Sequence, residues 1–529
     1  MTPQPLQCYH ALMSLIRRLT ELQEQHGHLS DETLRDLARA ENVPLHRLQE
    51  LVSFYPHFRT IPAPRVEVAV CRDMTCWLNG ATEVVGRRQQ FASAPDVEVR
   101  EVSCLGRCEL APACAINGTP GTLGDVNNRA IWRHEEALCW RSDPYASPAE
   151  CYGLLRELLA GDRKEAAARV LSALKEGGLR GMGGAGFPTA AKWDIVRNQT
   201  RTPKYVICNA DESEPGTFKD RVILSDLPHL VIEGMLLAGL VTGAAQGILF
   251  LRHEHEWDRR HFDHALREAR QAGLVGDPFD IEVFVSPGGY ILGEETALLE
   301  CLEDRRGEPR NKPPFPGTHG LFGQPTLINN VETLAMIPGI VKRGPAWWKA
   351  QGKPGFAGLK FIALSGHVER PGVYEVPMGT TVRELIDRGG GVSGGRALKA
   401  FAPGGASSNF LPASMADVPL DFEALAKAGS MLGSGAVVVV AEGTDMLALA
   451  TNVVRFFRNE SCGKCVPCRV GSQKAVELLE RVQSGEAGRK ELAVLPELGE
   501  ALLLTSICGL GQVALNPILS VMKHWPKEV

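Results

Sequence analysis

Two hydrophobic periods alternate along this chain, and the switches between them mark its parts. Over residues 9–58 apolar positions recur at helical spacing. Leu34, Leu37 and Ala38 follow a candidate cap at Ser30 or Asp31, and NVPLHRLQELVSFYPHF predicts a further helix. RVEVAV at 65–70 and VEVREV at 97–102 alternate with period two, as half-buried strands do, with a helix-like stretch near Asn79–Ala92 between them. Strand, helix, strand implies a small α/β domain. KYVICNAD, GILFLRH and IEVFVSPG are instead short continuous apolar runs, which suit buried strands of a larger α/β region. KFIALSGHVERPGVYEVPMGTTVRELIDRGGG reads strand, turn, strand, helix, a β-grasp-like pattern, and from about residue 445 the period is helical.

The punctuation agrees with this division. DPYASPAE at 143–150 suits a linker, and PRNKPPFPGTHGLFGQP must be an extended loop. The expected parts are a helical arm (1–62), a small α/β domain (63–142), a larger α/β domain (150–350), a β-grasp domain (358–441) and a helical domain (445–529). The fold class is therefore multidomain α/β. The 529 residues exceed a single core and suit roughly three to five domains.

Val231–Leu251 is the most apolar stretch, but it carries Glu233, Gln246 and four glycines. A buried helix running into a buried strand fits it better than a membrane span. Near the N-terminus, Arg17-Arg18 is followed by polar residues rather than an apolar run, so no secretion signal is expected and the expected location is cytoplasmic. A net charge of −5 without a long basic run argues against nucleic acid as partner, and against a helix-turn-helix reader in the N-terminal helices.

In a reducing compartment the 14 cysteines point to metal sites or core packing rather than disulfides. Cys8, Cys114, Cys139, Cys151, Cys208 and Cys301 are scattered, as small buried hydrophobes are. The other eight form two groups. Cys71-x4-Cys76 and Cys104-x3-Cys108 lie on loops past strand ends. That spacing fits the C-x2-C knuckles of structural zinc poorly and a [2Fe–2S] cluster better; zinc and a redox thiol pair remain alternatives. Cys462, Cys465 and Cys468 repeat as C-x2-C-x2-C, with Cys508 as the later fourth ligand. Three close thiols and one distant one suit a [4Fe–4S] cubane, with four-cysteine zinc as the alternative.

RGMGGAGFPTAAKW contains Gly181-x-Gly183-x-x-Gly186, a formal dinucleotide fingerprint, but a helical pattern precedes it where a strand belongs. Its glycine density and Lys192 still suit a phosphate cradle; a tight turn in a packed domain is the plainer alternative. Asp211, Glu212 and Glu214, with Glu294 and Glu295, suit acceptors for sugar hydroxyls or an amide, or else a solvated acidic face. Tyr290, Phe187 and Phe315 are candidate stacking rings. Iron–sulfur clusters pass single electrons and nicotinamide passes hydride, so a protein joining them needs a flavin.

GGAGFPTAAKW, NADESEPGTFKDR, ILGEETALLE, KPPFPG, INNVETLA, SCGKCVPCR and ICGLG occur in that order. From about residue 150 the chain thereby resembles the flavin- and NADH-binding subunit of respiratory complex I. SFYPHF, the C-x4-C pair and CLGRC make residues 9–118 resemble its partner [2Fe–2S] subunit, a thioredoxin-like domain behind a helical arm. Two subunits thus look fused, the larger α/β part being a Rossmann-like FMN domain. The resemblance implies FMN contacts from Gly181, Gly183, Gly184, Gly186, Lys192, Asn209, Asp211, Glu212, Tyr290, Gly293, Glu294, Asn329 and Asn330. It implies NAD contacts from Phe187, Glu214, Glu295, Lys312 and Phe315, with Glu295 the candidate for positioning nicotinamide or ribose. It implies [4Fe–4S] ligation by Cys462, Cys465, Cys468 and Cys508, and [2Fe–2S] ligation by Cys71, Cys76, Cys104 and Cys108. Departures are Met182 where relatives carry arginine, Ile195 where an aromatic is frequent, and a short spacer between the cysteine pairs.

Fused versions resemble diaphorase subunits of soluble NAD-linked enzymes. SICGLGQVALNPI looks more like the beta subunit of NAD-dependent formate dehydrogenase, a resemblance that implies a separate molybdopterin subunit holding Mo or W with its own Fe–S clusters. An NAD-reducing hydrogenase and a complex I-like module are the alternatives. A zinc-binding scaffold without flavin is the non-enzyme alternative.

Overall fold

The computed structural model describes residues 14–86, 96–122, 140–256 and 258–529. Cys8, Cys139 and the C-terminal part of the expected Asn79–Ala92 helix lie outside them.

Helices Leu15–His26, Asp31–Ala40 and Leu45–Phe54 form the arm. Ser30 caps the second, its Oγ accepting from Thr33 N at 3.1 Å, which decides between the two candidate caps. Tyr55 and Phe58 of SFYPHF are buried, and the Tyr55 hydroxyl donates to Arg305 O at 2.5 Å, so the arm docks on the Rossmann-like domain.

The first sheet has the order β2-β1-β3-β4, with β1 Val66–Cys71, β2 Val97–Val102, β3 Ala113–Ile116 and β4 Thr119–Thr122. β1 and β2 are parallel and β3 antiparallel to β1. Helix follows β1 sooner than expected, at Met74–Leu78 and Ala81–Gly86.

The second sheet is wholly parallel, ordered β7-β6-β5-β8, from β5 Tyr205–Ala210, β6 Gln246–Arg252, β7 Asp280–Ser286 and β8 Thr326–Asn330. β5 lies centrally, with the chain continuing to β6 on one side and β8 on the other. A crevice therefore opens at the carboxyl ends of β5 and β8, where parallel sheets bind ligands. Helix Pro228–Thr242, which runs into β6, is apolar all round and buried. No single helix among the described residues is long and apolar enough to cross a membrane; one bent pair, Lys219–Asp226 with Pro228–Thr242, passes by length and composition alone.

The third sheet is ordered β10-β9-β13-β11-β12, from β9 Leu359–Gly366, β10 Gly372–Pro377, β11 Leu398–Ala402, β12 Leu411–Pro412 and β13 Ala436–Ala441. Thr381 begins helix Val382–Arg388 with a reciprocal capping box to Glu384, so this unit is specified locally. Helices Met446–Asn459, Val466–Ser484, Leu495–Thr505 and Asn516–His524 form the C-terminal bundle.

The DPYASPAE segment differs from a free linker. Ser142, Pro144 and Tyr145 are buried, and the Tyr145 hydroxyl donates to both carboxylate oxygens of Glu233, at 2.8 and 2.7 Å. Glu233 is wholly buried, and burial lifts its pKa to about 7. This pairing satisfies the carboxylate that the apolar helix carries.

Candidate functional site

The carboxyl ends of β5 and β8 open into a cavity of about 340 Å³. Gly183, Gly184, Asn209, Asp211, Glu212, Tyr290, Gly293, Glu294 and Asn330 line it, as does Glu214. Sheet register places Asn209 beside Asn330. Asn209 Nδ2 donates to Gly293 O at 3.0 Å, and Asn330 Oδ1 caps helix Val331–Arg343 through Glu332 N at 3.0 Å. A Cβ on Gly183 would sit 2.9 Å from Asn330 Cβ, so glycine lets the loop backbone reach the cavity wall.

The carboxyls are held rather than free. Asp211 accepts from Ser213 Oγ at 3.2 Å and Ser286 Oγ at 3.4 Å, and burial pushes its pKa to about 7 despite Arg252. Glu212 accepts from Asp220 N at 2.8 Å and Arg221 N at 3.1 Å; burial and Asp220 raise it to about 8. Glu214 accepts from the Tyr290 hydroxyl at 2.6 Å and from Ser407 N at 2.6 Å, and burial raises its pKa. Near neutral pH the cavity is thus less acidic than its sequence suggests, which removes much of the conflict with a phosphate-bearing ligand.

The remaining candidates lie outside this lining. Asn329 Oδ1 accepts from Trp193 Nε1 at 2.7 Å in the core. Gly181 N donates to Phe187 O at 2.9 Å, closing the glycine loop, and Gly186 has φ +62° there. Met182 is buried, with its N–H on Thr333 Oγ1 at 2.8 Å. Lys192 and Lys312 converge on Glu295, at 3.1 and 3.2 Å, and Lys312 also meets Glu294 at 2.7 Å. Burial opposes the Glu295 charge, but the two lysines outweigh it and depress its pKa. Phe187 and Phe315 are exposed, at 48% and 57%; Phe187 precedes helix Thr189–Arg197, whose Ile195 lies against Gly317.

Sequence reasoning missed the wall contributed by the β-grasp domain: Gly404, Ser407, Met431, Gly433 and Ser434. Ser407 bonds both Glu214 and Tyr290, and Ser434 Oγ pairs with Thr217 at 2.5 Å. The signals that could have found it were the glycine-rich stretches APGGASS and SMLGSG. A Cβ on Gly405 would approach Glu214 Cγ to 2.9 Å, so close domain contact explains that glycine.

Cys508 also lines the cavity. Burial raises the pKa of Cys508 to about 12 and of Cys468 to about 11. A Cβ on Gly511, three residues after Cys508, would sit 2.9 Å from Cys468 Cβ, so the Cys508 segment packs against the Cys462–Cys468 loop, which Lys464 anchors by donating to Pro309 O at 2.7 Å. Cys71, Cys76, Cys104 and Cys108 are all buried, with Cys104 and Cys108 sulfurs 3.7 Å apart. Hydrogen bonds from Cys108 and Cys71 hold Cys104 well below the usual thiol pKa and raise those of the donors. Gly106 N and Ala113 N point at Cys104 and Cys76 sulfurs, each at 3.4 Å. Such N–H donors suit sulfur ligands that carry charge. Among the described residues, no three Cys, His, Asp or Glu side chains are placed to hold a single metal ion.

One cavity at a parallel-sheet switch point and two groups of cysteines, on a Rossmann-like, thioredoxin-like and β-grasp framework, suit a flavin and iron–sulfur oxidoreductase component. Comparison with known proteins agrees along most of the chain. Residues 7–131 match the thioredoxin-like [2Fe-2S] ferredoxin family, 174–339 the Nuo51 FMN-binding domain, 361–408 the SLBB domain and 448–529 the NADH-ubiquinone oxidoreductase-F iron-sulfur binding region. One F-type NADH-quinone oxidoreductase subunit of Rhizobium meliloti is 44% identical, over 68% of this chain and 87% of that protein. The NADP-reducing hydrogenase subunit HndC of Solidesulfovibrio fructosivorans is 42% identical, over 68% and 75%. The crystal structure of an NAD+-reducing [NiFe]-hydrogenase in the H2-reduced state superposes with a TM-score of 0.86 at 34% identity, covering 98% of this chain and 93% of that one. The chain belongs to the family of F-type NADH-quinone oxidoreductase subunits, here joined to a thioredoxin-like [2Fe–2S] domain.

Proposed function

We propose that this chain is the diaphorase subunit of a multi-subunit enzyme, exchanging hydride with NAD+/NADH and single electrons with a partner. The observation that carries this reading is Cys508: one side chain belongs both to the flavin cavity and to the four-thiol group. The cavity residues fit FMN. The glycine cradle takes a closely approaching group, and the carboxyls are damped by burial and hydrogen bonds. FMN supplies the conversion between two-electron and one-electron chemistry. Cys462, Cys465, Cys468 and Cys508 would hold [4Fe–4S], and Cys71, Cys76, Cys104 and Cys108 [2Fe–2S].

The chain's own residues orient and shield. Phe187 and Phe315 offer ring faces for NAD, while Glu295 is kept ionised by Lys192 and Lys312 and held ready to accept a hydroxyl or amide hydrogen bond. Hydride transfer needs no side-chain acid or base, only alignment and exclusion of water. Glu295→Gln is expected to raise KM for NADH roughly 10-fold, the loss of one hydrogen bond to a charged acceptor, with flavin reduction at saturation changed less than about threefold. An unchanged KM in stopped-flow titration removes Glu295 from the nucleotide site.

For the partner we propose a molybdopterin formate dehydrogenase subunit, supported by the similarity of SICGLGQVALNPI to that enzyme's beta subunit. The second reading is a hydrogenase, favoured by the likeness to the NAD+-reducing [NiFe]-hydrogenase over 98% of the chain. Anaerobically purified chain is expected to show flavin and broad iron–sulfur absorbance, to reduce ferricyanide with NADH, and to leave formate untouched. Zinc without iron or flavin would sink the reading. Co-purification with a Mo- or W-containing subunit supports the formate partner; nickel in its place supports the hydrogenase.

A further inference from the structure

Arg252, the last residue of β6, is only 4% exposed and belongs to neither proposed ligand set. One edge of its guanidinium is paired with Glu254, Nε to Oε2 at 2.7 Å and Nη2 to Oε1 at 2.8 Å. Its other contacts are backbone carbonyls. Nη1 donates to Glu212 O at 2.9 Å, in the flavin loop, and Nη2 donates to Cys104 O, in the cluster-ligand loop. Glu254 retains 21% side-chain exposure against 5% for Arg252. The ion pair is therefore a held dipole whose positive end is bonded to the backbone of Cys104, one of the buried cysteines, while Arg252 and Glu254 also line a cavity of about 760 Å³.

We propose that Arg252 is a positioning residue for the [2Fe–2S] site, where its permanent charge stabilises the electron that the cluster gains on reduction. The inference rests on the reading that Cys71, Cys76, Cys104 and Cys108 hold that cluster. Reduction adds one negative charge and forms or breaks no bond; the electron comes from NADH by the family's established activity. A guanidinium does not deprotonate in proteins, so the effect is constant with pH. The same side chain fastens the flavin loop to the cluster loop, which places a strand end of the Rossmann-like domain in control of a site in the thioredoxin-like domain.

The test is an EPR-monitored redox titration of the [2Fe–2S] signal in the complete, cofactor-loaded chain. Arg252→Met is expected to shift the reduced-to-oxidised ratio at fixed potential at least tenfold toward oxidised, about 59 mV downward for a one-electron couple. Arg252→Lys keeps the charge and is expected to restore more than half of that shift. Glu254→Gln removes the counter-charge and is expected to move the potential upward, the opposite sign, which a merely structural role does not produce. Should Arg252→Met fail to fold, Glu254→Gln decides alone. An intact signal with an unmoved potential, or a downward shift in Glu254→Gln, overturns the inference. Absence of any [2Fe–2S] signal in the unsubstituted protein overturns the cluster reading and the inference with it.

Discussion

Glu332→Ala is expected to lower the melting temperature of the flavin and β-grasp portions and to strip most of the flavin. Glu332 is wholly buried in the first turn of helix Val331–Arg343. Its carboxylate takes Lys219 Nζ at 2.8 Å, Lys360 Nζ at 2.5 Å and Phe361 N at 2.9 Å. Both lysines are also fully buried. Lys219 has a second partner in Asp220 at 2.7 Å; although burial opposes its charge, these carboxylates raise its pKa. Lys360 shares Glu332 and otherwise meets only the carbonyls of Phe361 and Ser434, and burial lowers it to about 8. Removing the common acceptor strands the Lys360 ammonium and the Phe361 N–H in a buried interface and leaves Lys219 with Asp220 alone. Breaking a buried pair in this way costs about 3–5 kcal/mol. At roughly 2–4 °C per kcal/mol for a unit of 150–250 residues, the expected fall is about 6–20 °C. Lys360→Met is also expected to destabilise, because Lys219 is then the one cation of this network left against both Asp220 and Glu332. Flavin loss follows because Asn330, two residues before Glu332, and Ser434, bonded to Lys360, both wall the cavity. A Glu332→Ala protein melting within about 2 °C of its parent with full flavin content would show that this network is dispensable.

The Glu332 network also shows where sequence reading stops. The strands were legible because their chemistry is local: RVEVAV, VEVREV and KYVICNAD carry their period in consecutive residues. The capping signal at Ser30 was equally local, and the structure needed only to choose it over Asp31. Cysteine spacing pointed to two sites because ligands must come in sets. Nothing local joins Glu332 to Lys360, or Ser407 to Glu214, since those pairs span domain junctions. Within the motif-derived set, proximity in sequence misled in a definite way. Asn329 and Asn330 are neighbours, but successive side chains of a strand point to opposite faces, so Asn330 reaches the cavity and Asn329 serves Trp193 in the core. The Met182 departure likewise loses weight, because that side chain is buried and the cavity lining passes through Gly183 and Gly184 instead.

Cys508→Ala is expected to separate the two halves of the reaction. Cys508 begins helix Gly509–Val513, and the N–H groups of Leu510 and Gly511 face its sulfur. Its thiol is held neutral mainly by burial, at a pKa of about 12, so binding iron must displace its proton. On the proposed ligand set, alanine removes the one thiol supplied from outside the Cys462–Cys468 loop, and a cubane needs all four. The purified variant is expected to lose about four irons per chain and the [4Fe–4S] EPR signal, while the [2Fe–2S] signal assigned to Cys71, Cys76, Cys104 and Cys108 persists. Flavin should remain, since Cys508 is one contributor among many to the cavity wall. NADH should still bleach the flavin and drive ferricyanide reduction within about threefold of the parent, because hydride exchange needs only alignment at the flavin. Electron flow between NAD and the assembled partner should fall at least about 100-fold, since flavin-to-partner transfer loses its single-electron carrier. Iron analysis, stopped-flow absorbance and turnover of the complete complex measure these three quantities on one preparation. Retained partner-linked turnover with the iron gone would exclude this site from the route. Loss of flavin reduction as well would make Cys508 a structural wall of the flavin pocket rather than the exit for its electrons.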